Sequence, residues 1–527
     1  MSFECDAIVV GAGHNGLILG TYLARAGLEV VCLERRSSVG GGLTTIEYPE
    51  HSGFLHNTHS FFHRGVSQLP WYQDLELAKH GAQYIQPAVN VALVTRDGQA
   101  LIWHEDFDKT LDSVSQFSRR DVDKLAHWRK KFRPIVSGIL EPESQAPPLP
   151  AKQRREHLAQ SKEGRQLLQL SEMTPWDFVT REFEHPTVQS ALLFFNGLRE
   201  VDLRQPGMAH HVPALMASDR MAQICVGGSA QLSTALVSAF QEAGGTVQTD
   251  VVLDQILVEG QRVVGIRESD GQEYRVKQLI ASSLNPQQTF LELLAAEYVP
   301  TDWRRQALEF RYNTLAPLFG IYVNLTSPPR YAAADMHASA DEALMVIVGL
   351  DHSDQFPQIV QHHESGTIPP TVMWGSCPSR FDATQAPAGK HTAFMWEKLP
   401  YQLHGDSRHW DSEKLSHGRD MLRVWKEYVP QLDEKLLEWF VTSPLDTERA
   451  LVNMRYGDLL VGSFSHGQTG YHRPFPGAGH YRSHLQGLYL CGSSCHPGGN
   501  VTGLPGYNSA QVVLADLGLD WHQGEVG

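Results

Sequence analysis

Cysteine is scarce: six are scattered over 527 residues, and no two stand in a CxxC pair. That excludes a disulfide framework, a zinc ribbon and a dithiol redox centre, and it fits a reducing cytoplasm. Long apolar runs are missing as well. None reaches the roughly 18–20 residues that span a bilayer, and no basic stretch precedes the first apolar run, so no signal peptide is expected. Positive charge is in deficit, 44 Lys and Arg against 59 Asp and Glu, for a formal net charge of -15. General attraction to nucleic acid is thereby excluded. One basic stretch stands apart, with Arg119, Arg120, Lys124, Arg129, Lys130, Lys131 and Arg133. Interleaved with Asp121, Leu125 and Trp128, it reads as a solvated amphipathic helix, with peripheral membrane contact as the alternative. Histidine is abundant at 26 residues, yet no HExxH or two-histidine-carboxylate spacing accompanies it, and no metal is expected.

What is present begins at residue 8 with IVVGAGHNGL. Ala7 to Val10 is short, apolar and β-branched, as suits a strand buried on both faces of a parallel sheet. Gly11, Gly13 and Gly16 follow at GxGxxG spacing. The first permits a tight turn, the second lets backbone approach a pyrophosphate, and the third lets a helix pack close to the strand. A helix over Leu17 to Ala26 is expected, stopped by Gly27. Val30 to Leu33 reads as a second strand ending in Glu34, about 20 residues past the glycines, where a carboxylate accepts ribose hydroxyls. That acid would repel a 2′-phosphate, so Arg35 and Arg36 do not point to NADP.

NAD and FAD both use such a unit. The stretch RSSVGGGLTT discriminates, because Gly40, Gly41 and Gly42 allow backbone to pass close to an extended dinucleotide, with Thr44 or Thr45 as hydroxyl donors. Near the other end, Leu488 to Cys491 reads as another buried strand followed by Gly492 and Ser493. A helix is expected from near Gly503 through Gln511 and Leu514, its N-terminus suited to negative charge on a reduced flavin. FAD is the expected cofactor.

The segments VVGAGHNGL, LERRSSVGGG, RPFPGAGHYRSHLQ and GLYLCGSSCHPGGNVTG resemble the phytoene desaturase-like branch of the FAD-dependent amine oxidase superfamily. The middle segment from Val226 to Ile266 resembles that family's internal strand-and-helix unit. The resemblance implies an α/β fold, with a Rossmann-like FAD-binding domain of the glutathione reductase type and an inserted α+β substrate domain. It implies nucleotide contacts at Gly11, Gly13, Gly16 and Glu34, with Leu253 beside the adenine. It implies pyrophosphate and flavin contacts at Gly41, Gly42 and Ser493, and contacts to the ring from Val501, Thr502, Gly503 and Leu504. His14, Asn15, Arg35, Leu43, Thr44 and Gly492 complete the expected cofactor set. Two departures weaken borrowed amine chemistry: Leu43 follows the glycines where many amine oxidases carry arginine, and Ser493 stands where an acid is usual.

The FAD-binding pieces are expected at about 1–75, 220–300 and 480–527, with substrate-domain pieces at 76–219 and 301–479. Residues 249–266 read as paired strands turning at Glu259–Gly260. Residues 315–325 and 343–350 read as strands of a substrate sheet, and the Pro-rich stretch 142–152 as an excursion or lid. No second GxGxxG appears, so electrons are expected to pass to oxygen, a quinone or another soluble acceptor. His56, His59 and His63 recur at i, i+3 and i+7. His59, His496 and His466 are the candidates for handling protons at the flavin. Cys495 does not match the cysteine that amine oxidases use for covalent flavin attachment. Phe61, Phe62, Trp71, Tyr72, Phe194 and Phe195 could line an apolar tunnel or simply build core.

The expected activity is removal of a hydride from a carbon of an apolar or aromatic small molecule. The rival enzyme reading is a flavin amine oxidase producing an imine. A rival from another class is a GDP-dissociation-inhibitor-like binding protein without flavin.

Overall fold

The second half of Phe3–Val10 (β1) alternates its side chains between two cores, which fixes it at the centre of a sheet. Ala7 and Val9 pack on one side and Ile8 and Val10 on the other, the two-residue period of a pleated strand buried on both faces. The computed structural model describes residues 3–196, 201–465 and 467–520.

After β1 the chain forms the helix His14–Arg25 (α1) and the strand Val30–Leu33 (β2). Much later come the helix Ala230–Glu242 (α2), Thr246–Gln248 (β3), Leu253–Glu259 (β4), Arg262–Glu268 (β5) and Glu273–Ser282 (β6). Leu488–Leu490 (β7) and the helix Leu504–Leu517 (α3) follow from the far end of the chain. The parallel order is β3-β2-β1-β6-β7, and the antiparallel pair β4/β5 extends from the first half of β6. The expected turn at Glu259–Gly260 is present, with Glu259 opposite Arg262 and Gly260 in the left-handed region. One face is covered by α1, α2 and α3, through Leu17, Ile18, Leu236, Phe240, Val513 and Leu514.

A second sheet has seven strands in the order 436–442, 318–325, 391–398, 373–376, 345–348, 89–94 and 100–104. It is antiparallel except where Met345–Val348 runs parallel to Val89–Val94. Its residues alternate between a helical layer, which takes Leu318, Tyr322, Trp374, Phe394 and Trp396, and a core around the helix Trp410–Tyr428. The strands expected at 315–325 and 343–350 are thus Leu318–Leu325 and Met345–Val348.

The basic stretch is the helix Arg119–Ile135, capped by the Ser118 hydroxyl. It buries Leu125, Trp128, Phe132 and Ile135, while Arg120, Lys124 and Arg129 pair with Glu184, Glu182 and Asp219. No helix among the described residues is long and apolar enough to cross a membrane. The Pro-rich stretch does not form a lid over the cavity described below. The carbonyls of Ser144 and Gln145 accept hydrogen bonds from Asn508 and Gln511, which tie it to α3.

Candidate functional site

β1 ends at a turn that only glycine can make. Gly11 has φ +90°, and a Cβ there would stand 2.5 Å from the Ser283 hydroxyl. Ser283 in turn donates to the Val10 carbonyl, so the ends of β1 and β6 are locked together beneath the turn. At Gly16 a Cβ would lie 2.3 Å from the Gly11 carbonyl oxygen, so this glycine sets the close approach of α1 to the strand. Gly13 differs. It is extended (φ -72°), and a Cβ there would meet nothing within 4 Å. It borders open space that a ligand can fill.

The helix begins at His14 rather than Leu17, so its first unpaired N–H groups stand directly at the glycine turn. Across from it, Gly40 (φ +100°) donates to the Ala12 carbonyl, and Gly41 (φ +58°) lies so near Gly13 that an added Cβ would be 3.6 Å from the Gly13 Cα. The side chain of Thr44 turns back to donate to the Gly41 carbonyl. Two glycine-bearing backbones therefore flank one groove.

At the end of β2 the Glu34 carboxylate accepts from the backbone N–H groups of Ala12 (2.9 Å) and Arg36 (3.0 Å). The Glu34 carbonyl accepts from Val251, which brings Val251–Leu253 to the same end of the groove. Arg36 lies nearby with its guanidinium Nη1 buried and without a hydrogen-bond partner. An unpaired buried cationic nitrogen in a groove lined by helix-terminal N–H groups fits a polyanionic linker such as a pyrophosphate.

The far end of the chain closes the site. Asn15 donates to the Ser493 hydroxyl at 3.1 Å, and its own side-chain oxygen accepts from Gly506 on α3. The Ser493 carbonyl accepts from Arg473, a fully buried guanidinium that also binds the Ser463 carbonyl. Trp71 donates its indole N–H to the Thr502 carbonyl at 2.7 Å and so fixes the Val501–Thr502 loop.

These parts border one continuous cavity of about 660 Å³, mid-range for a small-molecule site. At the end beside the glycine turn it is lined by Gly11, Gly13, Glu34, Arg36, Gly41 and Leu253. His14, Asn15, Ser493, Val501 and Thr502 line its middle, and Phe61, Phe62, Leu318, Trp374, Trp396 and Lys398 its far end. The far wall is aromatic: Phe61 packs 4.9 Å from Phe62 and 5.2 Å from Trp396, centroid to centroid. Trp396 and Lys398 share that wall because they are two residues apart on one strand. Lys398 donates its ammonium to the Ala316 carbonyl and stands 5.8 Å from the Trp374 ring.

Sequence-expected residues divide by place. Arg35 and Gly42 also line the cavity. Gly16, Leu43, Thr44 and Gly492 do not; they shape its walls from behind. Gly503 and Leu504, expected against the flavin ring, are turned into the core. Gly503 adopts φ +65°, and a Cβ there would strike Ile18 and the Trp71 ring, while Leu504 is buried beside α1. Of the three histidines expected to handle protons, His59 lines the cavity, within hydrogen-bonding distance of the Thr58 and Thr447 hydroxyls. Burial, with the charge of Arg36 adding to it, lowers its pKa to about 4, so it is a neutral hydrogen-bonding group at physiological pH.

His496 is not a cavity residue. Its Nε2 meets the Glu143 carbonyl at 2.9 Å, and burial lowers its pKa to about 4. His466 lies outside the described residues. His56 is bonded to Asn324, and His63 lies between Tyr84 and Ser60. Phe61 and Phe62 line the cavity, Phe61 also packing into the core, whereas Trp71, Tyr72 and Phe194 are core alone; the Phe195 side chain lies outside the described part of the chain. Arg36, Trp374, Trp396 and Lys398 do not stand out as site residues in the sequence. Only the alternation of HTAFMWEK, which puts Trp396 and Lys398 on one face, hints at any of them.

Residues 9–75 match the family described as NAD(P)-binding Rossmann-like domain. Over nearly its whole length the chain is similar to a limonene dehydrogenase component of Castellaniella defragrans: 28% identity, covering 98% of this chain and 96% of that protein. It is also similar to the lycopene-forming phytoene desaturase of Pseudescherichia vulneris, at 23% identity over 97% of this chain and 99% of that one. Among solved structures, cyclohexylamine oxidase from Brevibacterium oxydans superimposes with a TM-score of 0.62 at 15% identity, covering 98% of this chain and 99% of that one. That likeness establishes a shared fold.

Proposed function

We propose that the chain is a member of the phytoene desaturase-like branch of the FAD-dependent amine oxidase superfamily and that it takes a hydride from a carbon of a largely apolar molecule. It is an FAD-dependent oxidoreductase. We assign the FAD-binding unit to residues 1–75, 220–300 and 480–527, with the substrate-binding pieces between them. The observation that carries the reading is the single cavity joining a glycine-lined nucleotide groove to an aromatic wall. FAD, when bound, supplies a two-electron acceptor for the hydride.

The chain's residues do the rest. Glu34 and the helix-terminal N–H groups hold the nucleotide end, and Arg36 offsets phosphate charge. Phe61, Phe62, Trp374 and Trp396 exclude water and fix a substrate carbon by shape. His59, unprotonated at physiological pH, orients the substrate and can take the proton that leaves when the hydride does. Relatives named for limonene and phytoene support an apolar substrate, and oxygen or a quinone is the proposed acceptor. The test is anaerobic mixing of the yellow protein with cyclic monoterpenes, linear polyenes and primary amines, reading the flavin band. Bleaching by the hydrocarbons and not by amines is expected. Bleaching by amines alone overturns the substrate class, and protein that stays colourless after incubation with FAD overturns the enzyme reading in favour of a binding protein. Bleaching by NADPH alone would replace the proposed acceptor scheme with a reductase.

A further inference from the structure

His14 opens α1 at the glycine turn, is only 9% exposed and lines the middle of the cavity. Its Nε2 is buried with no hydrogen-bond partner. The ring's other contact is to the backbone of Asn500, and that contact favours the protonated ring. Only a carbonyl acceptor does so, which places a hydrogen on Nδ1 and leaves a lone pair on Nε2. Burial lowers the His14 pKa to about 4, so the ring is neutral.

A lone pair facing a phosphate oxygen is repulsive, so the partner of Nε2 is a donor. Its place names the donor. His14 stands between the Gly11–Gly13 turn, where backbone N–H groups await the phosphates, and the Asn500–Thr502 loop at the ring end. In FAD the span between phosphates and ring is the ribityl chain, whose only donors are hydroxyls. We propose that Nε2 of His14 accepts a hydrogen bond from a ribityl hydroxyl. His14 is then a binding residue that reads the polyol rather than the charge of the cofactor. This rests on the flavin reading above.

The experiment uses full-length protein freed of flavin, titrated calorimetrically with FAD and with its 2′-, 3′- and 4′-deoxyribityl analogues. In the native protein one analogue is expected to bind about 10- to 100-fold more weakly than FAD, the range for losing one buried hydrogen bond. His14→Phe keeps a ring and removes the acceptor. It is expected to lose a similar factor for FAD and to stop discriminating that analogue. His14→Gln, whose amide oxygen can stand in for the lone pair, is expected to recover part of the loss. Native protein that binds all three analogues as tightly as FAD overturns the proposal without recourse to any variant.

A second readout is proton uptake, from titrations at pH 7 in two buffers of different ionisation enthalpy. Other titratable or charged groups line the same cavity: His63, whose protonation His14 opposes, together with His59, Arg36 and Glu34. The difference between native protein and His14→Phe therefore isolates the ring. No difference is expected. Uptake of about one proton that the variant lacks would mean an imidazolium against phosphate, and would also overturn the proposal. Failure of the native protein to bind FAD at all would instead sink the flavin reading.

Discussion

Gly13→Ala should separate the fold from the cofactor. At Gly13 the backbone is extended, in a region that alanine adopts freely, and an added Cβ meets nothing within 4 Å. Without flavin the variant should therefore be within about 1 kcal/mol of the native protein, the usual scale for a strain-free Gly-to-Ala change. With flavin the outcome differs if, as proposed, the phosphates approach the helix N-terminus through the open space beside Gly13. A methyl group there displaces the linker from two or so N–H donors. At about 1.5–3 kcal/mol per charge-assisted bond, the expected loss is roughly 3–6 kcal/mol, or about 10²- to 10⁴-fold in Kd. Gly16→Ala is the control. Its Cβ would lie 2.3 Å from the Gly11 carbonyl oxygen, so it should destabilise the protein whether or not flavin is present. The assay pairs urea melts of the flavin-free proteins with FAD titrations followed by fluorescence. If Gly13→Ala binds FAD within threefold of the native protein, the groove beside Gly13 does not hold the pyrophosphate.

Replacing Arg36 by Met should weaken FAD about 10- to 100-fold while leaving the flavin-free melt unchanged or raised, because a buried guanidinium nitrogen without a partner is removed; equal losses in both measurements would refute it. Acid should destabilise the fold steeply. His14, His56, His59 and His496 are lowered to about 4 and His63 to about 3 by burial, from an ordinary 6.5. The unfolded chain binds more protons than the folded one between those values, so this stability is present above pH 6.5 and is lost as pH falls towards 4. Each ring costs about 1.4 kcal/mol by pH 5.5, and a urea midpoint unchanged between pH 7.5 and 5.5 would contradict that. His59→Gln should leave the pH profile of substrate-driven flavin reduction unmoved between pH 6 and 8, since a neutral ring has no titration to remove there.

The nucleotide half was legible in the sequence because covalent geometry dictates it. A strand that must turn sharply, admit a phosphate and meet a helix needs glycine at three fixed offsets, and Gly11, Gly13 and Gly16 occupy them. The hairpin at Glu259–Gly260 was legible for a similar reason, a turn residue with positive φ between alternating strands. The start of α1 lies three residues earlier than the sequence suggests, since Gly16 has poor helix propensity and its packing against Gly11 outweighs that preference. The aromatic wall was the hard part. Trp374 and Trp396 lie directly opposite each other across two strands, yet nothing local says which face of those strands meets a cavity and which meets the Trp410–Tyr428 helix. His496 misleads because a histidine in a glycine-rich loop looks mobile, whereas the segment around Glu143, more than 350 residues earlier, covers it.

Asn15 touches Gly506 across 491 positions of sequence. A ribosome adding about 5–20 residues per second needs on the order of half a minute to a minute and a half to traverse that interval. Throughout that time the nascent protein displays half a nucleotide cleft with no counterpart to shut it. Flavin capture therefore waits until the segment around Gly506 has been made, and a shortage of the vitamin during growth should show as folded but unloaded protein rather than as arrested synthesis.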